Sequence, residues 1–343
     1  MVSKSKPGGG SDSGRSPLML SVIGAINWDI SIFEERFARA GEEVPVKRLE
    51  EFSGGKGANV AVASARVLGR GRAAYIGALG DDEIRELQLA ALAAEGVVVD
   101  GVVEVRGCQS GRAYILIDAQ GRKTIHTHFG ANERITPRHL REGGCADVIS
   151  RTGTMIVMDP PTPVALAAAR AASKSGAKVI YSPGVRTQEG VKTLETVMEI
   201  SDFLVVDRIE LMNLYKGHDE EEVLGIVNDR HPQMTVVATL GSSGCIVARG
   251  GSVSRVAGVE VSSLGRKVVN TTGCGDAFLG VFASYLLMGR SPLESASWAN
   301  LAGALKATRL ETRGSPSRKE LERSMRLVET GRLGAFGLRN GSS

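Results

Sequence analysis

Residues 268–290 read VVNTTGCGDAFLGVFASYLLMGR. Small residues and two glycines, Gly273 and Gly275, stand directly before an acid, Asp276, and an apolar run follows. Ala277, Phe278, Val281, Phe282, Tyr285 and Leu286 fall at helical spacing, which puts 273–276 at a helix start. A helix start presents unpaired N–H groups and the positive end of the dipole, and together these hold anions. An acid there is either a first-turn residue matched to the dipole or a base beside a cradle for developing phosphoryl charge. Four residues of this kind do not decide between the two.

A second glycine-rich stretch, FSGGKGANVAVASARVLG (52–69), places two glycines and Lys56 before another alanine-rich helix. It is not a Walker A loop, because Gly57 and not Ser or Thr follows the lysine. The chain has no G-x-G-x-x-G, which argues against a dinucleotide-binding oxidoreductase. Taken alone, GGKGAN also reads as a flexible turn with a solvated lysine.

Working outward, short apolar runs alternate with helical patterns. LMLSVIGAI (18–26), AAYIGALG (73–80), MIVMD (155–159), KVIYSPG (178–184), FLVVD (203–207) and TVVATLG (235–241) read as strands. Helices are expected at 58–69, 81–96, 163–175, near 188–200 and near 219–230, with Asp81 as an N-cap and Gly96 as a C-terminal stop. This rhythm means βαβ units and an α/β fold with a parallel sheet covered on both faces. Residues 30–53 and 101–130 break it, the second with two strands around a Gly-containing turn, and are expected to form a small sheet acting as a lid.

Composition narrows the function. The 343 residues make one large domain or two ordinary ones. A net charge of +4 with no basic run excludes an obvious nucleic-acid partner. The apolar run at 17–26 is too short to span a membrane, so no membrane association is expected. Cys108, Cys145, Cys245 and Cys274 are far apart and form no CxxC pair, which fits neither a cysteine zinc site nor a disulfide framework and points to a reducing cytoplasm. Residues 1–16 are Gly, Ser and Lys rich and are expected to be a disordered tail, and 331–343 a C-terminal tail.

Together GAINWDI, SGGKGANVAVASARVLG, YIGALGDD, DRIELMN, VVATLGSSGCIV and NTTGCGDAFLG occur in an order that resembles the ribokinase-like (PfkB) carbohydrate kinases, over about residues 18–317. The resemblance implies a three-layer α/β/α sandwich with a mainly parallel sheet, its core built from 17–29, 54–100 and 131–330, plus the β-sheet lid. It implies Mg²⁺-dependent transfer of the γ-phosphate of ATP to a hydroxyl of a small sugar, with ADP as donor left open. A ribose-like pentose is the simplest acceptor; a nucleoside or an already phosphorylated sugar are the alternatives. A homodimer through the lid is also implied.

Position by position, the resemblance makes Asp276 the general base and the amides of Gly273, Cys274 and Gly275 the anion hole. Cys274 replaces the usual alanine. Asn27, Asp29, Gly54, Gly55, Lys56 and Asn59 match the sugar-binding residues. Thr239, Gly241 and Ser242 match the nucleotide-binding strand end, and Asn300 is a candidate adenine contact. Glu210 matches the glutamate that helps place Mg²⁺, whereas Asp207 stands where the family has Asn and could alter phosphate contacts. Asn270 stands where the family often has an Asp that helps ligate a monovalent cation, and the loop 308–315 has unfamiliar spacing, which puts potassium activation in doubt. Arg112, His126 and His128 on the lid either touch a substrate phosphate or base or form a solvated face, and they lack the third ligand of a metal site. Phe33, Phe37, Phe52 and Phe129 are the aromatic residues available for a nucleobase. Intact Asp276, Lys56 and Glu210 argue against a non-catalytic binding protein.

Overall fold

The apolar runs become buried strands. In the computed structural model, which describes residues 20–215 and 219–329, the strands are β1 (Leu20–Ile23), β2 (Asn27–Glu34), β3 (Val46–Gly54), β4 (Ala73–Gly80), β5 (Val98–Val105), β6 (Gly111–Ile117), β7 (Lys123–His128), β8 (Thr154–Val157), β9 (Lys178–Tyr181), β10 (Phe203–Asp207), β11 (Thr235–Thr239), β12 (Gly244–Arg249) and β13 (Ser252–Ala257). The helices are α1 (Lys56–Leu68), α2 (Glu83–Ala94), α3 (Gly143–Ser150), α4 (Thr162–Lys174), α5 (Val191–Met198), α6 (Arg208–Leu214), α7 (Glu220–Arg230), α8 (Cys274–Leu287), α9 (Pro292–Ala307) and α10 (Arg318–Glu329). The tails expected at 1–16 and 331–343 lie outside the described residues.

A nine-stranded sheet runs β13-β12-β11-β10-β9-β8-β1-β4-β5. Its pairings are parallel from β11 to β5, and β12 and β13 close one edge antiparallel. Every residue of β1 and β4 is buried, as expected of strands covered on both faces. One face packs on α3 to α7 through residues such as Val148, Val164, Leu194 and Leu224, and the other on α1, α8 and α9 through Val60, Phe278, Phe282 and Ala299. This is the expected three-layer sandwich.

The lid is a four-stranded sheet of order β3-β2-β6-β7. Its limits differ from the expected ones at both joins. Asn27 and Asp29 lie on β2, within the lid rather than the core. Residues 98–105, expected in part as lid, pair parallel with β4 at the edge of the large sheet. The reason is burial: Val98, Val103 and Val105 pack on one core cluster and Val99 and Val102 on the other. The cap of α2 also shifts by one residue. Asp82 occupies the cap position, but its carboxylate accepts from Ser110 N (2.9 Å) and Ser110 Oγ (2.6 Å), while Asp81 accepts from Gly107 N (2.9 Å). Both aspartates therefore tie the β4–α2 turn to the segment leading into β6.

One glycine sets the spacing that matters most for the site. A Cβ on Gly280 would lie 2.6 Å from Ala63 Cβ and 2.8 Å from Val60 O. Its absence lets α8 press against α1, whose alanines leave room, and so the first turns of the two helices meet.

Candidate active site

The meeting of those first turns builds the site. Asn59, on the first turn of α1, donates through Nδ2 to Asp276 Oδ2 at 2.8 Å. Gly273 caps α8 in the left-handed region (φ 85), a turn that L side chains adopt rarely. Among the described residues the N–H groups of Gly273, Gly275 and Asp276 have no main-chain partner, whereas that of Cys274 donates to Thr271 O at 3.2 Å. The bare donors of the turn are thus 273, 275 and 276, and not Cys274 as expected. The Cys274 thiol is pushed up by burial and is no nucleophile in waiting.

A cavity of about 320 Å³ opens between this turn and the lid. It is lined by Asn27, Asp29, Gly55, Lys56 and Asn59 on one side and by Glu210, Thr239, Gly275 and Asp276 on the other. The lid contributes Ala113, Ile115, Ile125 and Thr127, and no aromatic ring lines the cavity among the described residues. Phe33, Phe37 and Phe129 instead lie under the guanidinium groups of Arg48, Arg122 and Arg186. Arg112, His126 and His128 alternate with the lining residues, so they occupy the opposite lid face. Arg112 pairs with Asp82 at 3.4 Å. These three residues do not meet a ligand in the cavity. Lys123, at the start of β7, reaches the other way and donates to Thr272 Oγ1 at 2.7 Å, joining lid and turn.

Burial dominates the electrostatics. It raises Asp276 above the ordinary carboxylate range, against the opposing pull of Asn59 and Lys56. Burial likewise pushes Asp29 up to about 6, although Thr312 and Arg313 pull it down. Burial pulls Lys56 down, but Glu210, Asp159 and Asp276 more than offset this and its pKa ends raised. Lys56 Nζ stands 3.4 Å from Glu210 Oε1, and burial raises Glu210 despite that lysine.

Asp29 gives a pH prediction. Its folded-state pKa exceeds that of the unfolded chain, so the native state loses stability from this group as pH rises from about 4 to 6. Asp29→Asn should therefore raise stability at pH 7 by up to about 3 kcal/mol, with no gain at pH 4. If Asp29 binds the acceptor as the resemblance implies, the variant's KM for it should rise about tenfold or more, through loss of a hydroxyl-accepting carboxylate. Melting curves at the two pH values and steady-state kinetics check both halves.

Several residues that the sequence reading does not single out complete the site. Asn132 accepts from Ile26 N (2.9 Å) and donates to Asn27 Oδ1 (3.0 Å), orienting Asn27. The loop 308–315 folds back over Asp29, Asn59 and Gly54. Thr312 Oγ1 donates to Asp29 Oδ2 at 3.0 Å. Arg313 is buried, and it donates to Asn59 Oδ1 (3.2 Å), Gly54 O (2.9 Å) and Gln88 Oε1 (3.2 Å). Burial lowers it to about 10, so it keeps its charge at neutral pH.

A second cavity of about 620 Å³ adjoins the first and shares Thr239 and Gly275 with it. Gly241, Ser242, Cys274, Phe278, Asn300, Gly303 and Ala304 are among its walls. Asn300 belongs to this cavity, but its Nδ2 is engaged by Val256 O (3.2 Å) and Ala257 O (3.0 Å), where it pins α9 to β13. Asp207 caps α6: its side chain accepts from Glu210 N, and Glu210 Oε2 accepts from Asp207 N, in a reciprocal capping box. The pair thereby fixes Glu210 at the rim of the first cavity. Among the described residues no group of three or more His, Cys, Asp or Glu could hold a metal. Glu210, on the cavity rim, is a carboxylate that could stand toward a magnesium ion, which keeps several waters and needs only one or two carboxylates.

Two abutting chambers, a helix-start turn with bare amides between them and a buried acid facing the smaller one define a phosphotransferase. Residues 18–319 match the pfkB family of carbohydrate kinases. The chain is 28% identical to the ribokinase of Haemophilus influenzae over 306 residues, covering 88% of this chain and 96% of that protein. It is 30% identical to an ATP-dependent ribose-1-phosphate kinase of Halopiger xanaduensis over 296 residues, covering 86% and 93%. Its structure is similar to that of Arabidopsis thaliana ribokinase complexed with ribose and ATP, with a TM-score of 0.78, 25% identity, and coverage of 90% of this chain and 98% of that one. The chain spans about half the length of one curated relative, a bifunctional ribokinase/ribose-5-phosphate isomerase A of Fructilactobacillus sanfranciscensis (50% of that protein). The chain belongs to the pfkB family of carbohydrate kinases and is an ATP-dependent phosphotransferase with an alcohol group as acceptor. No helix among the described residues is long and apolar enough to cross a membrane.

Proposed function

We propose that the enzyme transfers the γ-phosphate of ATP to the hydroxymethyl group of a ribose-like pentose. The observation that carries this reading is the composition of the smaller cavity. Asn27, Asp29, Lys56 and Asn59 offer hydrogen bonds to several hydroxyls, and the lid closes over them with aliphatic residues and no aromatic ring for a nucleobase to stack on. Lys56 is the one basic residue lining that cavity among the described residues, and it faces Glu210, which argues against an acceptor that already carries phosphate.

In this reading the acceptor sits against Asn27, Asp29 and Asn59, with its hydroxymethyl beside Asp276. Asp276 takes the hydroxyl proton as the oxygen bonds to the γ-phosphorus and the bond to the β-phosphate oxygen breaks. The amides of Gly273 and Gly275, with Lys56, meet the charge on the transferring group. ATP fills the larger cavity from Thr239, Gly241 and Ser242 to the 271–275 turn. Glu210 would hold Mg²⁺, which when bound would supply further charge neutralisation at the phosphates.

The test is purified protein with Mg·ATP against ribose, hexoses, adenosine, inosine and ribose 1-phosphate, with the product phosphate located by NMR. Ribose should show the highest kcat/KM and become phosphorylated at its hydroxymethyl. A nucleoside or a sugar phosphate in first place would overturn the choice of acceptor. Replacing ATP by ADP in the same assay identifies the donor.

The reading includes a homodimer joined through the lid, supported by the outer lid face, where Leu49 and Tyr114 are exposed beside Ile30 and Ile32. Light scattering on a gel-filtration peak distinguishes 36.1 kDa from twice that mass. Four free thiols support a reducing compartment, the cytoplasm.

A further inference from the structure

Lys306 lies in the last turn of α9 with its side chain fully buried, an unusual place for a lysine. Its Nζ donates to Asn270 O (2.9 Å) and to Arg309 O (3.4 Å). These two carbonyls belong to the two segments that frame the anion turn. The segments are already sewn together: Val269 N (2.8 Å) and Asn270 N (3.1 Å) both donate to Ala307 O, and Asn270 Nδ2 donates to Leu310 O (2.7 Å). Asn270 Oδ1 accepts from Thr272 N at 2.9 Å, within the turn itself. The lysine chain runs directly beneath Gly273, where an added Cβ would come within 3.5 Å of Lys306 Cε and would collide with Thr312 O.

Two main-chain oxygens converge on one buried positive centre, as carbonyls do on part of the shell of a monovalent cation. Here the charge is covalently attached, and it is the neutral Asn270 that stands beside it. Burial pulls the lysine's pKa down, while Cys274, Asp276 and Glu311 work to keep its proton. Lys306 lines neither cavity, so it acts from behind the turn and not on a ligand directly.

We propose that Lys306 is a positioning residue for phosphoryl transfer: its ammonium is a tethered monovalent cation that holds the carbonyls of Asn270 and Arg309 and sets the 271–276 turn to receive phosphate. The enzyme accordingly needs no added potassium. This rests on the proposed phosphoryl-transfer role of the turn, though not on which sugar is the acceptor.

The experiment compares wild type, Lys306→Met and Lys306→Ala in KCl and in choline chloride at equal ionic strength. Mg·ADP affinity is measured by calorimetry, and turnover is measured with whichever acceptor the panel identifies. Wild type should behave alike in both salts. Lys306→Met, which fills the space without charge, should bind Mg·ADP about tenfold more weakly or worse in either salt. Lys306→Ala should be impaired in choline chloride and recover in KCl or ammonium chloride, a selective rescue that a merely structural lysine would not give. Wild type that depends on potassium, or a Lys306→Met variant that binds Mg·ADP and turns over as wild type does, overturns the proposal. The wild-type comparison decides even if a variant fails to fold. The binding arm needs no acceptor, so a wrong choice of sugar cannot be mistaken for failure here.

Discussion

Asp276→Asn should lower kcat by about 10²–10⁴ while leaving the affinity for Mg·ATP close to that of wild type. The substitution keeps the shape of the side chain and a hydrogen-bonding oxygen beside Asn59, and it removes the ability to accept the hydroxyl proton together with the charge that faces Lys56 and Lys306. It should not weaken the fold. Burial holds the Asp276 carboxyl above its ordinary range, so its ionised form is unfavourable in the native state, and a neutral amide relieves that cost at neutral pH. The same shift places the acid limb of the wild-type kcat profile above the usual carboxylate range. Transfer at the wild-type rate by a folded Asp276→Asn variant, or an acid limb that stays below about pH 4, the ordinary carboxylate value, would remove Asp276 as the base.

Arg313→Met should have the largest effect on stability. The guanidinium is buried, and its loss strands Asn59 Oδ1, Gly54 O and Gln88 Oε1 and takes a positive charge away from buried Asp29. Removing one member of such a buried charged network costs about 3–5 kcal/mol. Urea unfolding should show a lower midpoint with an unchanged slope. Where the variant stays folded, the acceptor KM should rise more than the nucleotide KM, because Asn59 and Gly54 lose their support. An unchanged urea midpoint would mean that water replaces the arginine without loss. A nucleotide KM that moved as much as the acceptor KM would place Arg313 outside the acceptor site.

The core is legible in the sequence because its signal is local. Strands such as Leu20–Ile23 and Ala73–Gly80 are unbroken apolar runs, and the start of α8 shows itself in glycines followed by helical periodicity. β5 escapes such a reading because VVDGVVEV carries Asp100 and Glu104 among its valines, and only its packing shows that it closes the large sheet. Alternation correctly groups His126 and His128 on one face. Which face looks inward depends on register with Asp29 across β2 and β6, and no single strand contains that information. Thr312, Arg313 and Lys306 are invisible for a different reason. Lysine and arginine are surface residues by default, and nothing near them in the chain shows that some 250 residues separate Arg313 from its partners Asn59 and Gly54.

The arrangement of the two chambers carries an implication for inhibitor chemistry. Since they share Thr239 and Gly275, a compound in which adenosine is joined through a short polyphosphate to a pentose would, on the proposed reading, occupy both at once. Such a tethered molecule gains from the high effective concentration of its second half, and the optimum tether length would serve as a ruler for the gap that the phosphoryl group crosses.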